Sequence, residues 1–152
     1  MDTEHGKRNT WVVANGFDEM DLSAVFLRVG VALIGPGEYG DWFDNPSVYA
    51  EKLRPGEVPL LRAFCEDVKV GDRIALRNAA HQILAVGEVS GPYRYEPIFR
   101  AVDVKGWDLQ HCRRVNWKKL ANPVEKSFAP NRFSHVVDPD AVSLIERLWG
   151  AQ

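Results

Sequence analysis

Aromatic, polar and basic side chains alternate along one segment of the chain, residues 106–119. Its members of these three kinds include Trp107, Asp108, Gln110, Arg113, Arg114, Asn116, Trp117, Lys118 and Lys119. Nucleic-acid contacts use all three kinds, because cations pair with phosphates, rings stack on bases and polar groups read base edges. The segment therefore predicts a nucleic-acid contact. Trp117 is expected in the core, whereas a core role and a site role both stay open for Trp107.

The charge distribution supports an anionic partner more than the total charge does. The formal net charge is −2, yet residues 105–132 carry seven basic and two acidic side chains, a local charge of +5. The remaining residues carry 12 basic and 19 acidic side chains, a charge of −7. Such polarity indicates one face that meets an anion, and an ordinary solvated surface is the alternative.

Motifs of the common catalytic classes are absent from the sequence. Gly35-Pro36-Gly37 has no following lysine, and neither a Gly-x-Ser-x-Gly nor a His-Glu-x-x-His motif occurs. Cys112 follows His111, but adjacent strand residues point to opposite faces and form no dyad. The two cysteines lack metal-ligand spacing and are expected to be reduced and partly buried. The sequence predicts no enzyme, cofactor or metal; a small hydrolase or nucleotide-modifying enzyme is the alternative if Asp108, His111 and another carboxylate converge.

Length and composition bound the class of protein. The chain has 152 residues, of which 45% are hydrophobic and 26% charged, typical of one folded domain. We expect a flexible leader over residues 1–9 and a single domain over 10–150. No apolar run approaches the roughly 20 residues of a membrane span, and the start of the sequence lacks a signal-peptide pattern, so no membrane contact and a cytoplasmic location are expected.

Local patterns predict short strands with helices between them. The predicted strands are 10–14, 31–34, 73–77, 83–89 and a strand around Val115 that ends near Trp117. The predicted helices are 21–28 with Asp21 as N-cap, 45–53, 57–68, and a final amphipathic helix capped by Asp138 or Asp140. Such a series favours an α+β fold: a small, curved, mostly antiparallel β-barrel with helices around it.

The ordered set of these motifs resembles an EVE domain of the PUA-like superfamily, which also contains YTH domains. The resemblance rests on Trp11 and Asn15-Gly16 at the first strand, the hairpin of residues 70–77 and 83–89, and the block from Trp107 to Trp117. It covers nearly the whole chain. It implies a PUA-like barrel whose pocket holds a flipped, modified base between aromatic side chains.

The resemblance also implies roles for individual residues. Asn15 and Asp108 would read the base edge; Trp42 and Trp107 would form the walls, with Tyr93 and Tyr95 as substitutes for either tryptophan. The phosphate contacts would come from Arg77, Arg113, Arg114, Lys118 and Lys119. Three alternatives stay open: Asn15 as a turn residue, Trp42 folded onto the core, and Arg77 on a strand surface. The spacing of the cage aromatics departs from the YTH pattern.

The resulting hypothesis is a noncatalytic domain that recognises a modified base, methylated in the simplest case, by flipping it into an aromatic pocket. The resemblance to prokaryotic EVE-like modules favours DNA over RNA and a defence setting with a partner nuclease. An RNA-binding PUA-like module is the first alternative, because the sequence does not choose between the two sugars.

Overall fold

A strongly curled, half-barrel sheet organises the fold of the computed structural model, which describes residues 8–17, 20–102 and 109–151. The strands are β1 Thr10–Ala14, β2 Gly16–Phe17, β3 Met20–Asp21, β4 Val31–Ile34, β5 Arg73–Arg77, β6 Gln82–Val89, β7 Arg94–Tyr95, β8 His111–Glu125 and β9 Phe133–His135. The helices are α1 Ser23–Val29, α2 Pro46–Lys52, α3 Glu57–Arg62, a π-helical turn Ala63–Asp67, a 3₁₀ helix Pro97–Val102 and α4 Pro139–Ala151.

Seven strands form the main sheet in the order β4-β8-β6-β5-β1-β9, with β7 paired to β8. Neighbours are antiparallel except β1 and β5, which run parallel with Trp11 opposite Ile74. The short strands β2 and β3 pair separately. The predicted α+β fold with a mostly antiparallel, curved sheet is confirmed.

The long strand β8 gives the sheet its curl. Its first residues pair with β4 on one side and with β7 on the other, and from Val115 onward it pairs with β6. The predicted strand near Val115 is therefore confirmed in position, but it extends to Glu125 instead of ending near Trp117.

Alternation along β1 divides the interior into two cores. Trp11 and Val13 belong to the larger core together with Phe26 of α1 and Phe64 of the π-helical turn. Val12 points the other way, into the smaller core beneath α4. Each face of the sheet is thus covered by apolar side chains, as the period of two in a strand requires.

Local signals explain where the helices begin and end. The prediction of Asp21 as N-cap of α1 is wrong: the helix begins at Ser23 with Leu22 as its N-cap, and Asp21 Oδ1 accepts from the amide of Ser23 at 2.8 Å from one residue further out. Asp138 is the cap of α4, accepting from Ala141 at 3.2 Å. The predicted helix over 57–68 changes at Ala63 into a π-helical turn. None of the helices in the described part of the chain is long and apolar enough to cross a membrane.

Candidate functional site

An apolar pocket lies between α1 and the ends of β1 and β4. Its lining residues are Ala14, Gly16, Leu22, Phe26, Leu33, Ile34, Leu109 and Arg132. The lining residue Gly16, the first of β2, has φ 140°, a conformation that favours glycine. The cavity volume is about 10 Å³, enough for one water molecule. A base enters only if the lining side chains move apart.

Asn15 does not line this pocket, but it lies in the chain between two lining residues, Ala14 and Gly16. Its Nδ2 donates to Asp21 Oδ1 and to Ser23 Oγ, both at 3.0 Å. Its backbone amide donates to Arg77, and its carbonyl accepts from Leu22. Both hydrogens of the carboxamide are therefore used, and Oδ1 has no bond to any described residue. The side chain of Asn15 is therefore fixed by its Nδ2, and its Oδ1 is a spare hydrogen-bond acceptor.

Arg132 brings a positive charge to the same pocket. Its Nη1 donates to the carbonyl of Gly35 at 3.2 Å, and its Nη2 lies 3.8 Å from Glu57 Oε2. Burial lowers the pKa of Arg132, while Glu57 opposes that shift. The guanidinium therefore joins the loop after β4 to α3 at the wall of the pocket.

Trp42, Tyr93 and Tyr95 lie together, but in a different place from Asn15. With Tyr49 and His111 they form a group of rings that we call the aromatic cluster, with centroids of neighbouring rings 5.4–5.8 Å apart. None of these five residues lines the pocket. The structure does not bring Trp42, Tyr93 or Tyr95 onto the candidate base site.

Trp42 occupies the core position that the sequence left as its alternative. Its side chain is 1% exposed, and its Nε1 donates to Glu66 Oε2 at 2.6 Å. A buried ring has no free face on which a base could stack. We therefore correct the expectation that Trp42 forms a wall of the base pocket.

Two of the expected phosphate contacts are buried arginines that bind backbone carbonyls. Arg113 donates to the carbonyl of Val68 at 2.7 Å and to those of Phe64 and Cys65 at 3.1 Å. Arg77 donates to Asn131 at 2.8 Å and more weakly to Asn78. Burial lowers the pKa of both guanidinium groups. Because their donors face inward, Arg77 and Arg113 are not available to a phosphate.

Lys118, Lys119 and Arg114 differ in accessibility, although they are neighbours on β8. The Nζ of Lys118 lies 3.8 Å from the ring centroid of Trp149 and donates to the carbonyl of that residue at 3.2 Å. Lys118 is thus engaged with α4. Arg114 and Lys119 are exposed and remain accessible to a ligand.

Arg94 is an accessible cation that the sequence analysis did not single out. It is opposite Cys112 in the β7–β8 ladder, so it shares a sheet face with Arg114, two residues further along β8. The stem of Arg114 lies over Gly91, where an added Cβ would come 3.1 Å from Arg114 Cβ. Neither guanidinium forms an ion pair with a described residue. The alternation of Tyr93-Arg94-Tyr95 was the signal for an outward-facing arginine.

The described residues give no support to a catalytic centre. His111 and Cys112 are both buried, and burial raises the pKa of the Cys112 thiol to about 12. Among the described histidines, cysteines, aspartates and glutamates, no group of three or more could hold a metal ion. Trp107 and Asp108 lie outside the described residues, so their roles in the pocket stay predictions. Trp107 is two residues before Leu109, which lines the pocket.

A family model matches residues 11–134, most of the chain. The model is that of the DUF8426 family, described as a domain of unknown function. This chain belongs to the DUF8426 family. No curated protein sequence matches this DUF8426 domain.

A solved structure resembles this DUF8426 domain over most of both chains. It is the YTH domain of the Zygosaccharomyces rouxii MRB1 protein in complex with N6-methyladenosine RNA. The TM-score is 0.50 at 12% sequence identity, and the match covers 93% of this chain and 87% of the YTH chain. This likeness shows a YTH-like fold, in agreement with the PUA-like curved barrel expected from the sequence.

Sequence reasoning named as site residues none of the eight residues that line the pocket in this DUF8426 domain. The charged one among them is Arg132. It belongs to the positively charged segment 105–132, but nothing local distinguishes it from the other six cations there. Its position depends on the pairing of β9 with β1, since its carbonyl accepts from the amide of Ala14 at 2.9 Å. That contact joins residues far apart in the chain, so no local pattern predicts it.

Proposed function

We propose that this DUF8426 domain is a noncatalytic nucleic-acid reader that takes a modified base into the apolar pocket between α1 and β4 once the lining side chains have moved apart. The observation that carries the proposal is the make-up of the pocket, apolar walls and the cation of Arg132, together with the spare acceptor of Asn15 between the lining residues Ala14 and Gly16. Ligand sites typically combine such walls with a few polar groups that fix orientation. The YTH-like fold supports the proposal, because the similar YTH domain was solved with N6-methyladenosine RNA.

The energetics favour extrusion of the base over reading it within the helix. A flipped base loses a few kcal/mol of stacking and pairing, least where it is already unpaired. Stacking on an aromatic side chain returns about 1–3 kcal/mol. Trp107, two residues before the lining residue Leu109, is the proposed wall, and Asp108 is a proposed partner for the base edge. An alkyl group on the base adds apolar area to bury against Leu33 and Phe26.

Asn15 is the proposed discriminator of the base edge. Its two amide hydrogens bond to Asp21 and Ser23, so only Oδ1 is left to meet the ligand. An acceptor selects a base edge that presents an N–H donor. A buried acceptor left without a donor costs about 1–3 kcal/mol, which corresponds to about 5- to 150-fold in affinity.

A panel of oligonucleotides that carry modified or unmodified bases tests the proposal by fluorescence anisotropy at stated salt. We expect at least one modification to bind about tenfold or more tightly than its parent base. Asn15→Ala should reduce that preference, whereas Asn122→Ala, at an exposed position on β8, should retain it. Equal affinity of the wild-type protein for every modified and parent base would overturn the proposal.

Arg94 and Arg114 are the proposed phosphate contacts, together with Lys119. The two arginines share one exposed face, and the aliphatic stem of Arg114 is supported by Gly91. Replacing both arginines by alanine should weaken binding to modified and parent bases alike and reduce the salt slope by about one per lost contact. The matched control, Lys52→Ala with Lys69→Ala, removes two exposed lysines from other elements and should leave the slope unchanged.

DNA is the proposed partner, in a cytoplasmic defence setting with a nuclease as partner protein, on the resemblance to prokaryotic EVE-like modules. RNA is the second candidate, and the observation that favours it is the RNA in the similar YTH structure. Only RNA offers a 2′-hydroxyl. Competition between DNA and RNA strands of the same sequence and modification therefore decides between them by which strand displaces the other.

A further inference from the structure

Side chains, and not a neighbouring strand, bind the backbone of the loop that follows β4. Three carbonyls of this loop, residues 35–42, accept hydrogen bonds from the aromatic cluster: Pro36 from His111, Gly37 from Tyr95 and Gly40 from Tyr49. Its amides also donate to side chains, that of Tyr39 to Tyr49 Oη and that of Trp42 to Tyr93 Oη at 3.0 Å. The position of the loop therefore depends on the aromatic cluster.

Hydrogen-bond chemistry gives the bonds between His111 and Tyr93 a direction. The carbonyl of Pro36 can only accept, so His111 Nε2 donates to it at 2.8 Å. In a neutral imidazole Nδ1 is then an acceptor, and Tyr93 Oη donates to it at 2.7 Å. The same Tyr93 oxygen accepts from the amide of Trp42. Each donor in this chain has one acceptor, and the chain fixes both ends of the loop.

A second proton on His111 would break this arrangement. Nδ1–H would point at Tyr93 Oη, and the phenol proton would lose its acceptor. His111 is 0% exposed, and the groups packed against it are the rings of Tyr49, Tyr93 and Tyr95 and, through charge alone, Asp41. Burial lowers the pKa of His111 to about 4; the bond to Pro36 and the charge of Asp41 oppose that shift.

The loop adjoins the pocket at its first residues. Ile34, which lines the pocket, is the register partner of His111 across β4 and β8. The next residue, Gly35, accepts from Arg132, which also lines the pocket. We propose that His111 and Tyr93 are positioning residues that hold this loop, and with it one wall of the pocket, in a single conformation. That this wall contacts a base rests on the proposed function.

Amide hydrogen exchange, followed by NMR on the full chain and corrected for intrinsic pH dependence, tests the proposal without a ligand. In the wild-type protein the Trp42 amide should keep its protection above pH 6.5 and lose about tenfold or more as the pH falls towards 4. The amide of Val86, in the centre of β6, should stay more protected than that of Trp42 at every pH, because it exchanges only when the whole domain unfolds. Equal protection of the two amides at every pH would overturn the proposal, because it would mean that the loop opens only with global unfolding.

Three variants separate positioning from simple destabilisation. His111→Gln retains a donor for Pro36 but cannot be protonated, so the protection of Trp42 should no longer depend on pH. Tyr93→Phe removes the acceptor of the Trp42 amide and should lower its protection at every pH. Phe64→Leu, a buried change that touches none of the loop bonds, should leave the pH profile as in the wild type. A wild-type profile in His111→Gln would overturn the proposal.

Binding separates this inference from the proposed function. An N6-methyladenosine oligonucleotide serves as the probe in both DNA and RNA form, beside the other modified bases. Loop protection that follows His111 while no probe binds would reject the proposed function and leave the positioning role in place. Modified-base binding with loop protection unaffected by His111→Gln and Tyr93→Phe would do the reverse.

Discussion

Trp117 lies across the bare Cα of Gly87, its register partner on the neighbouring strand β6. A Cβ added at Gly87 would come 2.8 Å from Cε3 of Trp117 and 2.5 Å from Cγ1 of Val115. The indole is also held by its Nε1, which donates to the carbonyl of Val31 at 2.9 Å. The expectation that Trp117 packs on the core is confirmed, and the missing side chain at Gly87 makes room for it.

Gly87→Ala should therefore lower the free energy of unfolding by about 1–3 kcal/mol, because the new methyl group overpacks a site bounded by two strands. Urea denaturation measures the change. Gly150→Ala is the matched control, since nothing lies within 4 Å of a Cβ at that position in α4. Equal losses of stability in the two variants would contradict the packing argument.

Arg113 and Arg114 are adjacent, yet their replacement by alanine should have opposite consequences. Arg113→Ala leaves the carbonyls of Cys65 and Val68 without the donors they have now, and should cost about 3–5 kcal/mol of stability. Arg114→Ala, at an exposed position, should change stability by less than about 0.5 kcal/mol. Thermal unfolding of both variants checks the difference, and a large loss in Arg114→Ala would refute it.

The two thiols should be unreactive in the folded protein. Burial raises the pKa of Cys112 to about 12 and that of Cys65 further above its ordinary range. The reactive species is the thiolate. Reaction is therefore slow both because few thiols are deprotonated and because burial keeps the reagent away from them. Ellman's reagent at pH 8 should detect almost no thiol in buffer and both cysteines in denaturant. Rapid reaction of either thiol in buffer would show that its burial is not maintained.

Stability should fall below neutral pH in a way that depends on His111. Its folded pKa of about 4 lies below the ordinary 6.5, so the unfolded chain binds the proton more readily between those values. Neutral His111 thus adds about 3 kcal/mol to the free energy of unfolding. This stabilisation is fully present above pH 6.5 and declines as the pH falls to 4. The difference in stability between the wild type and His111→Gln should shrink by that amount over this window.

Urea denaturation across the pH window gives both free energies. The control is Phe64→Leu, a change at a buried residue that adds or removes no titratable group. Its stability difference from the wild type should stay constant with pH. A constant difference for His111→Gln as well would mean that His111 is protonated as easily in the folded protein as in the unfolded chain.

Local signals were enough to predict most of the strands, and non-local pairing explains the rest. The hairpin of β5 and β6 has a β-prone apolar run on each side of a turn, and its prediction was correct. The continuation of β8 past Trp117 was not predicted, and it includes Pro123, although proline cannot donate to a ladder. Pro123 lies where the β6–β8 register is interrupted, and a ladder bond is not needed there. β9 has only three residues, and it is a strand because it pairs with β1.

The candidate site was predicted less completely than the fold, because residue type does not determine burial. Trp42 and Tyr93 suit a base cage and a protein core equally well, and the contact of Tyr93 with His111 depends on tertiary packing. Arg113 suited a phosphate contact by residue type, but the π-helical turn and the residue after it, Val68, place three carbonyls around its guanidinium. Whether such a side chain serves the core or a ligand site depends on its surroundings in the fold, which residue type alone does not reveal.

Because β1 pairs with β5 and β9, which follow much later in the sequence, the sheet is completed late in synthesis and folding. Trp11 has Ile74 on one side and His135 on the other, so neither neighbour of β1 comes from its own end of the sequence. Contacts this distant form slowly, and an unpaired strand edge invites association with other chains. On the ribosome, β1 keeps one open edge until Phe133–His135 has left the exit tunnel. A nascent chain arrested before that point keeps this edge of β1 unpaired and can aggregate through it. In the finished protein the three residues of β9 cover the edge.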